Sequence, residues 1–169
     1  MYETDLFREL IAVIADHHTI PERTQRIIAD HLRASIFLIA DGVRPSNKEA
    51  GYILRRLLRR VMTYQTMYDV HDNLLAMAYE IMKAKFGEIY PEINNSIILV
   101  VMEEERDKYQ NATAVGLDAL NRIIWSTQEE FARKLFNIYQ EFGLHIELAL
   151  EILRKKVIIS VEHRLVSWF

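Results

Sequence analysis

Apolar residues along this chain recur at spacings of three and four rather than alternating, which is the pattern of amphipathic helices. Near the start, Leu6, Leu10, Val13 and Ile14 share one face, predicting a helix over 5–16 with Thr4 as its N-cap and the polar His17-His18-Thr19 beyond its end. Pro21 and Glu22 open a second helix, since proline's missing N–H is no loss in a first turn, and Gly42 closes it. Between them Ile27, Ile28, Leu32, Ile36, Phe37, Leu38 and Ile39 leave little polar surface on the second half. The reading is an all-α fold: a compact multi-helix domain around a buried central helix at about 21–41. A short loop follows, Val43-Arg44-Pro45-Ser46-Asn47, and then a third helix over 48–66 capped by Ser46 or Asn47. Further helices are predicted over 72–86, 93–125 (long enough to break at Gly116), 127–142 and 146–165. Val157-Ile158-Ile159-Ser160-Val161 is the one β-like stretch, too isolated to make a sheet.

Composition narrows the picture. With 169 residues, 50% hydrophobic and 27% charged, the chain reads as a single helical domain over 1–169 with a packed core. The absence of cysteine excludes disulfide frameworks, thiolate zinc sites, iron–sulfur clusters and cysteine nucleophiles, and makes a cytoplasmic location the default expectation. The longest nearly apolar run, 34–40, falls short of the roughly 20 residues of a membrane span, so no membrane is expected as partner. Met1-Tyr2-Glu3-Thr4-Asp5 has neither the basic nor the long apolar region of a signal peptide.

Catalytic signatures are missing. The five glycines are dispersed and form no phosphate cradle. The six histidines, His17, His18, His31, His71, His145 and His163, include no H-E-x-x-H or H-x-x-x-H pair, and no Glu-x-x-His element of a di-iron bundle occurs, so no metal is expected. His31, on the central helix near Asp30 and Ser35, reads as a hydrogen-bonded core histidine rather than a catalytic base. Serine nucleophiles lack an elbow motif.

What stands out is charge. From Arg44 to Arg60 six cations face the single acid Glu49, a net +5 in 17 residues, against −8 over the rest of the chain. With Leu54 set at zero, Arg55, Arg59, Arg56 and Arg60 fall at about 100°, 140°, 200° and 240° around a helix, opposite Leu57, Val61, Leu54 and Leu58. The expectation is an apolar arc for docking and a continuous guanidinium arc facing outward. Charged helix faces are ordinarily just solvated. Here, however, most of these arginines have no acid three or four residues away, and arginine's planar fork suits phosphate oxygens. Nucleic-acid backbone is the expected ligand, with the amide of Asn47 able to donate and accept at a base edge.

Three segments then carry a resemblance: Arg26-Ile27-Ile28-Ala29-Asp30-His31-Leu32-Arg33-Ala34, Phe37-Leu38-Ile39-Ala40-Asp41-Gly42-Val43-Arg44-Pro45-Ser46-Asn47 and Gly51-Tyr52-Ile53-Leu54-Arg55-Arg56-Leu57-Leu58-Arg59-Arg60. In order and spacing they closely resemble the alanyl-tRNA synthetase family. Tyr2-Glu3-Thr4-Asp5-Leu6-Phe7 is similar to the family's segment just after its catalytic core, Glu103-Glu104-Glu105-Arg106 to its acidic helix, and the stretch from Leu135 to Leu148 to a diverged L-Y-D-T-Y-G-F-P-x-[DE]-L element.

The resemblance implies the helical tRNA-recognition domain that follows a class II aminoacylation core. ATP and magnesium would then be bound outside this chain, the class II catalytic, editing and C-terminal oligomerisation domains would be absent from it, and it would be inactive alone. The implied partners are the acceptor stem of alanine tRNA and the class II catalytic domain, with no DNA. In the family the asparagine of the P-S-N element and the aspartate of the L-Y-D element read a G·U wobble pair. The first carries over to Asn47. The second aligns with Gln140, which keeps an acceptor and donors but loses the charge and gains a methylene. Arg44, Lys48, Arg55, Arg56, Arg59 and Arg60 are the candidate phosphate contacts. Glu49-Ala50 stands where the family often has Gly-Arg, and Leu144-His145 replaces Phe-Pro after Gly143. Two other readings stay open: a scaffold that docks on the catalytic domain without binding tRNA alone, and an independent enzyme.

Overall fold

The computed structural model describes residues 4–16, 20–122, 127–142, 146 and 148–154, and their regular structure is helical throughout. In order these are α1 (Arg8–Ala15), α2 (Glu22–Ala40), α3 (Glu49–Met67), α4 (Leu74–Phe86), a 3-10 turn (Pro91–Asn94), α5 (Ile97–Asn121) and α6 (Gln128–Phe142), and residues 148–154 are also helical. The strand-like segment at 157–161, Gly143, His17, His18, His145 and His163, and most of the helix expected over 146–165 lie outside the described residues. No helix among the described residues is long and apolar enough to cross a membrane.

Helix ends follow their local chemistry, with some differences from the sequence reading. The first helix begins at Arg8, not residue 5. Phe7 N–H and Arg8 N–H both donate to the Thr4 carbonyl at 3.1 Å, making a turn that delivers Phe7 into the core, and Phe7 rather than Thr4 occupies the N-cap position. Helix α2 ends as predicted at Gly42, whose φ of 89° only glycine adopts cheaply. Gly42 N–H donates to Ile39 O and Val43 N–H to Leu38 O, the paired bonds of a Schellman cap. The helix expected over 93–125 divides at Asn95, whose Oδ1 accepts from Ile97 N–H at 3.0 Å, while Gly116 sits inside an unbroken α5. Asn73 and Thr127 cap α4 and α6 through side-chain oxygens that accept from Ala76 N–H and Glu130 N–H.

The chain divides into two compact units, Met1–Tyr109 and Gln110–Phe169. In the first, α2 packs against α1, α3, α4 and the 3-10 turn, and is the central helix that the apolar run predicts. Its Ile28, Leu32, Ile36 and Ile39 are buried with Leu10 and Ile14 of α1, Leu54, Leu58 and Val61 of α3, and Leu75 and Met82 of α4. Each fully buried aliphatic side chain of this kind contributes about 1.5–3 kcal/mol. The Arg33 guanidinium lies 5.3 Å from the ring centroids of both Phe7 and Phe37, tying the turn before α1 to α2. In the second unit Leu120, Leu135, Ile138, Leu148 and Ala149 are buried.

Candidate nucleic-acid interface

The loop after α2 is folded back over the first turn of α3. Ser46 N–H donates to Gly51 O at 3.0 Å, and Ser46 Oγ bonds the Lys48 backbone on both sides, accepting from its N–H and donating to its C=O. Ser46 therefore braces the loop rather than capping α3. The cap position is taken by Lys48, with no side-chain bond, which corrects the expectation of Ser46 or Asn47. Gly51 is required by this close approach, since a Cβ there would overlap Ser46 Oγ and the Arg44 carbonyl. Glu49 enters the helix with φ at 50°, the left-handed region that costs a side-chain-bearing residue about 1 kcal/mol or more.

Around this turn stand the predicted site residues. Asn47, Lys48 and Arg56 are exposed and Arg55 is half-buried. Arg55 donates through an Nη to Asn47 Oδ1, so the loop amide and the second-turn arginine form one unit. Arg56 lies over the ring of Tyr52, 5.6 Å from its centroid, and Tyr52 and Ile53 are 39% and 50% exposed beside it. Arg44, although exposed, donates to the Val43 carbonyl at 3.0 Å and to the Ile39 carbonyl at 3.3 Å, where its charge meets the C-terminal end of α2.

The expected continuous outward arc divides in two. Arg59 donates from Nε to Glu105 Oε1 at 2.7 Å, and the Glu105 side chain is only 3% exposed. Arg60 donates to the Tyr64 hydroxyl at 2.9 Å, its guanidinium 5.0 Å from that ring's centroid. One of these cations is taken up by α5 and the other by the next turn of its own helix, and the outward charge is concentrated at the N-terminal half of α3. The apolar arc behaves as predicted for Leu54, Leu58 and Val61, which are fully buried, while Leu57 is half-buried. Gln140 lies exposed on α6 in the second unit, next to the 38%-exposed Tyr139.

Sequence reasoning missed Glu105 as the partner of Arg59, and the signal was available. Ile98, Val101, Met102, Glu105 and Tyr109 recur at helical spacing and are all buried, so an acid sits within an apolar stripe and requires a cationic partner. One turn further on, the Thr63 and Tyr109 hydroxyls bond each other at 3.0 Å, and Thr63 also donates to the Arg59 carbonyl. Tyr52 was missed as well, since an aromatic on the polar side of a helix reads as half-core.

His31 is not the hydrogen-bonded core histidine expected. Its Nδ1 is buried without a hydrogen-bond partner, as is Ser35 Oγ. Burial pushes the imidazole's pKa down, Asp30 opposes this and Arg60 adds to it. Among the described residues no three His, Cys, Asp or Glu side chains gather as a metal site.

The chain belongs to the family of tRNA synthetases class II (A), which it matches over residues 1–164. Within it, the similarity is to alanine–tRNA ligase. Identity is 36% over 160 residues to the enzyme of Elusimicrobium minutum, covering 89% of this chain and 18% of that one. It is 32% over 164 residues to that of Thermotoga petrophila, and 33% over 162 to that of Nitrosococcus oceani, each covering 92% of this chain and 19% of the relative. The chain thus spans about a fifth of the length of the curated relatives it matches.

Proposed function

We propose that this chain is the part of an alanine–tRNA ligase that grips the acceptor stem of alanine tRNA and positions it for aminoacylation by a separate class II catalytic core. The observation that carries this reading is the exposed Asn47 amide at the same end of α3 as Lys48, Arg55 and Arg56. Cations supply sequence-independent attraction to phosphates, and a fixed amide supplies a base-edge contact in the shallow groove of an RNA helix. Arg44 adds a further phosphate contact, and Gln140 of the second unit is the other candidate base-edge reader. Arg59 and Arg60 serve chiefly to hold α3. ATP and magnesium belong to the catalytic core, the setting is the cytoplasm, and neither DNA nor a membrane is a partner.

Titration of an acceptor-stem minihelix tests it. Binding should be measurable at low salt, weaken steeply as salt rises, and weaken further in a Lys48→Ala, Arg56→Ala double variant. Absence of binding at low salt overturns the reading.

A second reading, a scaffold that docks on the catalytic domain without binding tRNA alone, is favoured by the apolar exposure of Tyr52 and Ile53 within the same surface. Co-purification with a class II core, together with no minihelix shift, would select it. In either reading, ATP–pyrophosphate exchange by this chain alone is blank.

A further inference from the structure

Asn47 and Arg55 are eight positions apart, yet the back-folded loop brings them into a hydrogen bond in which Arg55 Nη1 donates to Asn47 Oδ1. An asparagine amide is nearly symmetric in shape, and its orientation is ordinarily decided by its neighbours. Here the neighbour favours one orientation: a guanidinium carries five donors and no acceptor, so turning the amide over would set N–H against N–H. The Asn47 carbonyl is therefore committed to Arg55, while the Nδ2 amino group makes no hydrogen bond among the described residues.

We infer that Arg55 is a positioning residue for Asn47, fixing it as a pure hydrogen-bond donor whose target in the RNA is an acceptor: purine N3, pyrimidine O2 or a ribose 2′ oxygen. This rests on the acceptor-stem reading above and sharpens it. In an A-form helix the accessible shallow groove displays these acceptors together with the guanine 2-amino donor. A locked Asn47 bonds the acceptors and cannot accept from the amine. Arg55 thereby leaves the group of phosphate contacts and acts on specificity through its neighbour.

The test measures Kd for two minihelices that differ only in having a G·U or a G·C pair at the recognition position, using wild type, Arg55→Met, Arg55→Lys, Asn47→Asp, the Arg55→Met, Asn47→Asp double variant and Arg56→Ala. Thermal melting of each protein checks that it is folded. Wild type should discriminate. Arg55→Met, which releases the carbonyl, and Asn47→Asp, which removes the donor, should each reduce the Kd ratio by about tenfold, the scale of one base-edge contact. The double variant should lose no more than either single one. Arg55→Lys, which still donates, should keep part of the ratio, and Arg56→Ala should weaken both stems equally. A discriminating wild type whose ratio survives in Arg55→Met overturns this inference alone. A wild type that binds both stems alike, or neither, overturns the base-reading or the RNA-binding proposal respectively, and this inference with it.

Discussion

Arg59 Nε and Glu105 Oε1 meet at 2.7 Å and join α3 to α5 across 46 positions of sequence. The Glu105 side chain is nearly closed off from solvent while Arg59 keeps 21% of its side-chain surface exposed, so the arginine neutralises an acid that water scarcely reaches. Removing Arg59 strands that carboxylate. Arg59→Ala and Glu105→Ala should each lower unfolding free energy by about 1–3 kcal/mol, the partial exposure of Arg59 keeping the cost below that of a fully buried pair. Urea denaturation of both single variants and the double should give a clearly sub-additive cycle; strict additivity would show that the two groups do not interact. Arg59→Ala should leave the salt dependence of RNA binding unchanged.

Glu49 tests the left-handed entry to α3, where its φ is 50°. Glycine relieves side-chain strain there and loses some backbone entropy, so Glu49→Gly should be neutral or stabilising by up to about 1 kcal/mol. Glu49→Val, with a branched Cβ in the same conformation, should destabilise by about 1–2 kcal/mol. Melting temperatures of the two variants should move in opposite directions or at least differ clearly; equal losses would contradict this backbone assignment.

Gly51 lies where loop and helix touch. A methyl group would overlap Ser46 Oγ and the Arg44 carbonyl, so Gly51→Ala must push the 43–47 loop away from α3. The expected result is a destabilisation of about 1–3 kcal/mol with a weakened Asn47–Arg55 unit, read as a reduced preference for the G·U stem. Unchanged stability and unchanged preference together would mean that the loop is not braced as described.

His31 sets a pH dependence. Its pKa lies below the ordinary value of 6.5, chiefly through burial, opposed by Asp30 and reinforced by Arg60. Between the folded and unfolded pKa values the unfolded chain binds more protons, so stability is full above about 6.5 and falls as pH drops towards the lowered folded value. Urea midpoints at pH 7.5 and 5.5 should show a larger acid loss for wild type than for His31→Gln. An identical loss would remove His31 as the cause.

Spacing alone determined the helical class, the central place of α2 and the apolar arc of Leu54, Leu58 and Val61, because burying one face of a helix is a local, periodic demand. Gly42 was legible for the same kind of reason: the Schellman cap needs only the residues beside it. Charge counting found the cationic turn, and the Asn47 amide stood out by its place in the loop beside it and by the resemblance. What tertiary structure decided was which of those cations face outward. Arg59 has the same side chain as Arg55 and Arg56, yet it pairs with an acid 46 residues away, whereas Arg60 meets Tyr64 one turn on along its own helix, a contact that the spacing itself allows. Arg55 turns to the loop because Ser46 and Gly51 fold that loop back. A helical wheel records direction around one axis, but pairing depends on which neighbouring helix carries a group at that height, and that is known only once the helices pack.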